Sequence, residues 1–220
     1  MSTLLVVKFL HLLGLVYWLG GDLGTYYASR FVGKSELSPD ARATAFKIMM
    51  GCDQAPRLAM PLMFGTGLHL AAAMGLVPGG AATMLIGWLL TGGWLGMVLA
   101  LWLGEHAAWS QPLAKIDFAF RLLLLAAILG GSTALLAGAV PTAPYWLSWK
   151  LLVFGGMVGM GLMIRRKLKP FVPAWIALQS GRGTPEADAT IAGSIRSCKP
   201  YVHAIWLGLL VNAALGVHLI

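Results

Sequence analysis

Two histidines, His11 and His69, stand inside long apolar stretches, where an ionisable side chain is costly and is therefore a candidate for chemistry. Around the first of them Lys8, His11, Leu15, Trp18, Asp22, Tyr26 and Ser29 recur every three or four residues, which puts them on one face of a helix. Such a stripe either sets helix packing or lines a working interior. Lys8, His11 and Asp22 together are more ionisable groups than packing needs. His69 has Gly65, Thr66, Ala72 and Ala73 beside it, a small-residue surface that admits either a neighbouring helix or a flat ring.

Depth links the two imidazoles. At the rise of a helix, His11 lies roughly 9 Å and His69 roughly 12 Å from the outer ends of adjacent antiparallel helices. Histidines on facing helices are a common way to hold b-type haem, with imidazole nitrogens as axial iron ligands. His11 and His69 are accordingly the candidate metal ligands and haem b the candidate cofactor. The alternative for each is a hydrogen-bonded core histidine. Lys150 opens the fifth apolar segment at similar depth, where it either snorkels outward or meets a carboxylate such as a haem propionate. Glu105, His106, His203 and His218 fall at segment ends. They read as solvated interfacial groups, with an inner metal or proton site as the alternative.

The elements that carry these residues are membrane helices. The 220-residue chain is 58% apolar and only 11% charged, too little polar surface to cover a soluble core. Six segments are long enough to span a bilayer: 4–27, 58–76, 84–103, 118–139, 146–164 and 201–219. The expected fold is thus an all-α polytopic bundle of about six transmembrane helices in a single domain, with the lipid bilayer as its first partner.

Charge sets the orientation. The net charge of +8 would suit nucleic acid, but fourteen of the sixteen basic residues fall in connections 28–57, 105–121 and 165–199, which alternate along the chain. The connections between them carry none. The positive-inside rule makes the basic side cytoplasmic and both termini periplasmic, and no nucleic-acid partner is expected. Cys52 and Cys198 then lie on the reducing side as free thiols.

Ser38-Pro39-Asp40 and Thr184-Pro185-Glu186 carry helix-start signals that predict cytoplasmic helices over 41–52 and 187–197. Phe171, Trp175, Ile176 and Leu178 read as a lipid-headgroup anchor. Asp22 should pair with Arg57 or Arg121. Gly20-x3-Gly24, Gly92-x3-Gly96 and Gly155-x3-Gly159 predict close helix crossings and leave room for a homo-oligomer or a membrane-complex partner. Phosphate-binding loops, HExxH and nucleophile elbows are absent, against ATP hydrolysis or proteolysis by this chain.

Lys8-Phe9-Leu10-His11 through Trp18-Leu19-Gly20-Gly21 resembles the first helix of a bacterial membrane superfamily that includes the copper-resistance protein CopD and the HemJ-type protoporphyrinogen oxidase. Lys150-Leu151-Leu152-Val153 running to Arg165-Arg166, with Leu168 and Pro170, resembles a second helix of that group. The resemblance covers two helices. It implies an inner-membrane location, haem ligation at His11 with Trp18 beside the cofactor, and an essential role for Lys150 in an oxidoreductase. The CopD side of the resemblance implies instead a copper or small-solute permease. A subunit that only stabilises a larger membrane complex is the third expectation.

Overall fold

Ser38 begins the second helix as its sequence suggests: its Oγ accepts from the Ala41 N–H at 3.3 Å, and Pro39 takes the first helical position, where no N–H is needed. Thr184 caps the last helix in the same way, accepting from Ala187 N–H at 3.2 Å. Hydrogen bonds from its own backbone N–H and from Thr184 hold the exposed Glu186 carboxyl below its ordinary value, as first-turn donors do. Neither helix stops where a soluble one would. Both run on into apolar sequence, through Pro56 and Pro61 in one and Pro200 in the other, so the expected cytoplasmic helices and the spans behind them are single rods.

The computed structural model describes residues 3–104, 107–141 and 143–219. Among these the chain is all-helical, with α1 Thr3–Val32, α2 Pro39–Ala73, α3 Gly80–Leu103, α4 Ser110–Leu136, α5 Tyr145–Lys167, α6 Phe171–Gln179 and α7 Pro185–Gly216. The six long helices close a ring in the order α1, α2, α3, α4, α5, α7, with α7 returning to α1. Each sends side chains to one core: Trp18, Met60, Trp94, Ile128, Phe154 and Leu209 are among its buried members. The outside is equally apolar. Leu89, Leu103 and Leu123 are 66%, 80% and 73% exposed, a surface that water penalises and lipid accepts.

Four helices, α1, α3, α4 and α5, are long and apolar enough to cross a membrane. α2 and α7 fall short of that hydropathy because His69 and Arg57 in one, and Lys199, His203 and Asn212 in the other, dilute it.

Small residues set the helix spacing. A Cβ at Gly14 would come within 2.6 Å of Met63 Cγ, and one at Gly65 within 2.3 Å of Thr91 Oγ1. These positions let α1 and α3 press against α2. The small-residue face beside His69 is therefore filled by a helix, with the Thr91 hydroxyl donating to the Pro61 carbonyl at 3.3 Å.

The basic end carries a second core. Phe171, Trp175 and Leu178 of α6 are buried with Val32 and Ile191, and Phe46 of α2 stacks on Trp175 at 4.8 Å and on Phe171 at 5.9 Å. The headgroup-anchor expectation is thus corrected for these three residues. They face protein because the extensions of α1, α2 and α7 offer an apolar cleft of their own, and only Ile176 remains exposed. Arg42, 1% exposed, ties this cap together: Nε donates to the Val32 carbonyl at 2.9 Å and Nη1 to Asp188 at 2.6 Å. Trp175→Ala should cost about 3–5 kcal/mol locally, since the cavity has no side chain to fill it. Limited trypsinolysis should then cut at Lys167 and Arg182 much faster than in the wild type, while the bundle stays intact. An unchanged rate would mean that α6 is held by lipid after all.

Candidate functional site

Thr66 organises the half of the bundle away from the basic end. Its hydroxyl donates to the Leu62 carbonyl at 2.6 Å, one turn back on α2, and stands 2.8 Å from Nδ1 of His11. With its one proton committed to Leu62, Thr66 Oγ1 can only accept from the imidazole. The hydrogen-bond network therefore assigns the His11 proton to Nδ1 and leaves the Nε2 lone pair uncommitted. Gly67 makes room for the ring, since a Cβ there would lie 3.2 Å from His11 Cε1.

His69 is wired the other way. Its Nδ1 accepts from the Trp88 indole N–H at 3.2 Å, which places the proton of a neutral ring on Nε2. His11 is thus a free base at Nε2 and His69 a donor there. They serve different neighbours, α1 to α2 for His11 and α2 to α3 for His69.

Lys150 packs against α7: its carbonyl accepts from Asn212 Nδ2 at 3.3 Å, and its Nζ rests against Gly216, where a Cβ would be 2.7 Å away. The Asn212 Oδ1 is buried without a protein partner among the described residues. Trp18, two turns below His11, is 1% exposed and packs edge-on against Phe154 at 6.2 Å; Phe64 stacks on the same ring. Phe154 lies one turn beyond Lys150, so an aromatic cluster of α1, α2 and α5 sits deeper in the bundle than either His11 or Lys150. Lys8, by contrast, is exposed.

The half of the bundle next to the basic end holds a row of charges. Asp53 pairs with Arg57 on α2. Asp117, fully buried, takes both Arg121 Nε at 3.0 Å and Arg165 Nη1 at 2.6 Å, and Arg121 lies over the Trp94 ring at 5.2 Å. The expected pairing of Asp22 with Arg57 or Arg121 is not formed. Each arginine is taken by the carboxylate one turn earlier on its own helix, an i, i+4 geometry that costs less order than a contact between helices. Asp22 Oδ2 is left buried with no protein partner among the described residues. Asp22→Asn removes a charge while keeping the shape, so stability in detergent should hold or rise, by about 1–3 kcal/mol if the carboxylate is ionised, read as a melting midpoint that does not fall. A clear fall would mean that Asp22 has a cationic partner in the membrane.

Glu105 and His106 lie outside the described residues. His203 is exposed beside Tyr26 and Trp206, and His218 meets Trp146 edge-on at the far end. Among the described residues no group of three or more His, Cys, Asp or Glu is arranged to hold a metal ion. The sequence placed Thr66 only on the small-residue surface beside His69 and did not mark Trp88, because both roles depend on which helix each faces. The Asp53-x3-Arg57 and Asp117-x3-Arg121 spacings did carry a signal. Comparison of the chain with protein-family models, with curated proteins and with solved structures finds no match.

Proposed function

We propose that this chain is a six-span protein of the bacterial inner membrane that binds haem b through His11 and works as an oxidoreductase of the kind its first- and fifth-helix motifs resemble, the HemJ type. One observation carries the reading: Thr66, whose own proton goes to the Leu62 carbonyl, accepts from His11 Nδ1 and leaves Nε2 as the unprotonated ring nitrogen. That donor chemistry fits an axial ligand, whose second nitrogen is normally held by just such an acceptor. Bound haem would supply one-electron redox chemistry. Lys150 would be the cation for a propionate or substrate carboxylate, the buried rings of Trp18, Phe154 and Phe64 would form the apolar side of the site, and His69 would offer an N–H donor or, with its tautomer reversed, a second nitrogen. Purification with adequate haem supply tests this, since a haem protein shows a Soret band and a colourless one refutes the reading.

A small-solute permease of the CopD kind is the second reading. It is favoured by the charged row Asp22, Asp53, Arg57, Asp117, Arg121 and Arg165, because ionisable groups inside a membrane commonly mark a solute path.

The topology has its own test. An impermeant maleimide applied to right-side-out vesicles should leave Cys52 and a Ser35→Cys thiol unmodified and should label Pro78→Cys in the opposite turn. Labelling of Ser35→Cys but not Pro78→Cys would invert the protein. Cys198 is a poor reporter because it is buried.

A further inference from the structure

Where α1 leaves its apolar run, Arg30 and Lys34 approach Arg196 and Lys199 of α7 around a groove of about 230 Å³, with Ser29 and Gly33 in its floor. No acidic side chain lines it. Elsewhere the buried and half-buried arginines of the inner end, Arg42, Arg57, Arg121 and Arg165, each have a carboxylate. None of the four groove cations has one among the described residues. Three of them rest instead on aromatic rings of α1: Arg30 over Tyr27 at 5.9 Å, Lys34 over Phe31 at 5.5 Å and Lys199 over Tyr26 at 5.8 Å. A ring steadies a cation without neutralising it. Four positive charges are thus gathered around one opening with their charge unspent.

The geometry points to this groove as a binding site for an anionic phospholipid, recognised through its phosphodiester. Three features select that ligand. Basic pockets between membrane helices at the positive end suit anionic headgroups, and Tyr26 and Tyr27 stand at the level where interfacial aromatics gather. The groove holds several water volumes of about 30 Å³ each, more than a lone phosphate fills and enough for a phosphoglycerol head. Directly towards the bilayer, Leu23 and Tyr27 are 48% and 60% exposed and form an apolar track for an acyl chain. Gly33 keeps α1 close to α7, its Cβ position lying 3.4 Å from Ile195 Cδ1, so the cations of both helices reach one phosphate. The site is separate from His11 and independent of whether haem is bound.

The test measures thermal protection of the full chain in detergent by phosphatidylglycerol, phosphatidylcholine and soluble glycerol 3-phosphate, with retained lipid counted by native mass spectrometry. The wild type should bind phosphatidylglycerol roughly tenfold or more tightly than phosphatidylcholine, as a few headgroup–cation contacts allow. Changing Arg30, Lys34, Arg196 and Lys199 to Gln should abolish that preference. Changing four exposed lysines elsewhere, Lys47, Lys115, Lys167 and Lys169, to Gln alters net charge equally and should preserve it. The half-variants, Arg30→Gln with Lys34→Gln and Arg196→Gln with Lys199→Gln, should each lose part, which guards against misfolding of the fourfold change. Equal binding of the two lipids, equal loss in the control variant, or protection by glycerol 3-phosphate matching that by lipid would each overturn the proposal.

Discussion

His11→Ala should purify without haem, while the same chain with His11 intact carries it. Removing the imidazole takes away the ring nitrogen that the Thr66 hydrogen bond leaves free for a metal. Thr66→Val makes the sharper experiment. It keeps His11 and nearly all the packing volume but deletes the acceptor for Nδ1–H, so the ring loses both its orientation and its fixed tautomer. Loss of such a supporting partner typically lowers affinity about 10–100-fold, and haem occupancy should fall accordingly. Lys150→Met should leave the absorption spectrum in place but weaken retention, because a propionate loses its charge partner while the axial bond remains. His69→Ala should retain haem, since in the present tautomer its Nε2 carries the proton. Unchanged haem in His11→Ala would move the ligand elsewhere, with His203 and His106 the histidines left at the inner end. A colourless wild type would transfer the weight to the permease.

Asp117→Asn should be among the most damaging single substitutions in the chain, although it touches no outer-site residue. Asp117 is fully buried and is the carboxylate partner of both Arg121 and Arg165, the first of which is itself nearly buried. Breaking such a group leaves buried guanidinium charge uncompensated, at a cost of about 3–5 kcal/mol. For a chain of this size that corresponds to a melting midpoint lower by about 10 °C. Replacing all three residues together with leucine should recover most of the loss, because the penalty comes from the orphaned charges rather than from missing attraction. Asp40→Asn on the exposed first turn of α2 is the natural control and should change little. A similarly small effect for Asp117→Asn would mean that water or lipid headgroups reach the site.

Composition and charge order were enough for the all-helical class, for long apolar helices and for the concentration of positive charge at one end, because these depend on local sums over each segment. Helix starts at Ser38 and Thr184 were equally readable, since a cap needs only the next three residues. Partners between helices were not. His11 and Thr66 are 55 positions apart, and their contact depends on the rotation of α1 about α2, which Gly14 and Gly67 set by close approach. Rotation also sent His69 to Trp88 rather than towards His11, so equal depth did not mean a shared neighbour. Asp22 was assigned an arginine because depth allowed one; the arginines were already held by Asp53 and Asp117, and competition among partners is invisible until all of them have positions. Trp175 and Phe171 looked like interfacial aromatics for a related reason. An apolar stripe beside lysines packs on lipid or on protein with the same sequence, and only the cleft between the extended ends of α2 and α7 makes it protein.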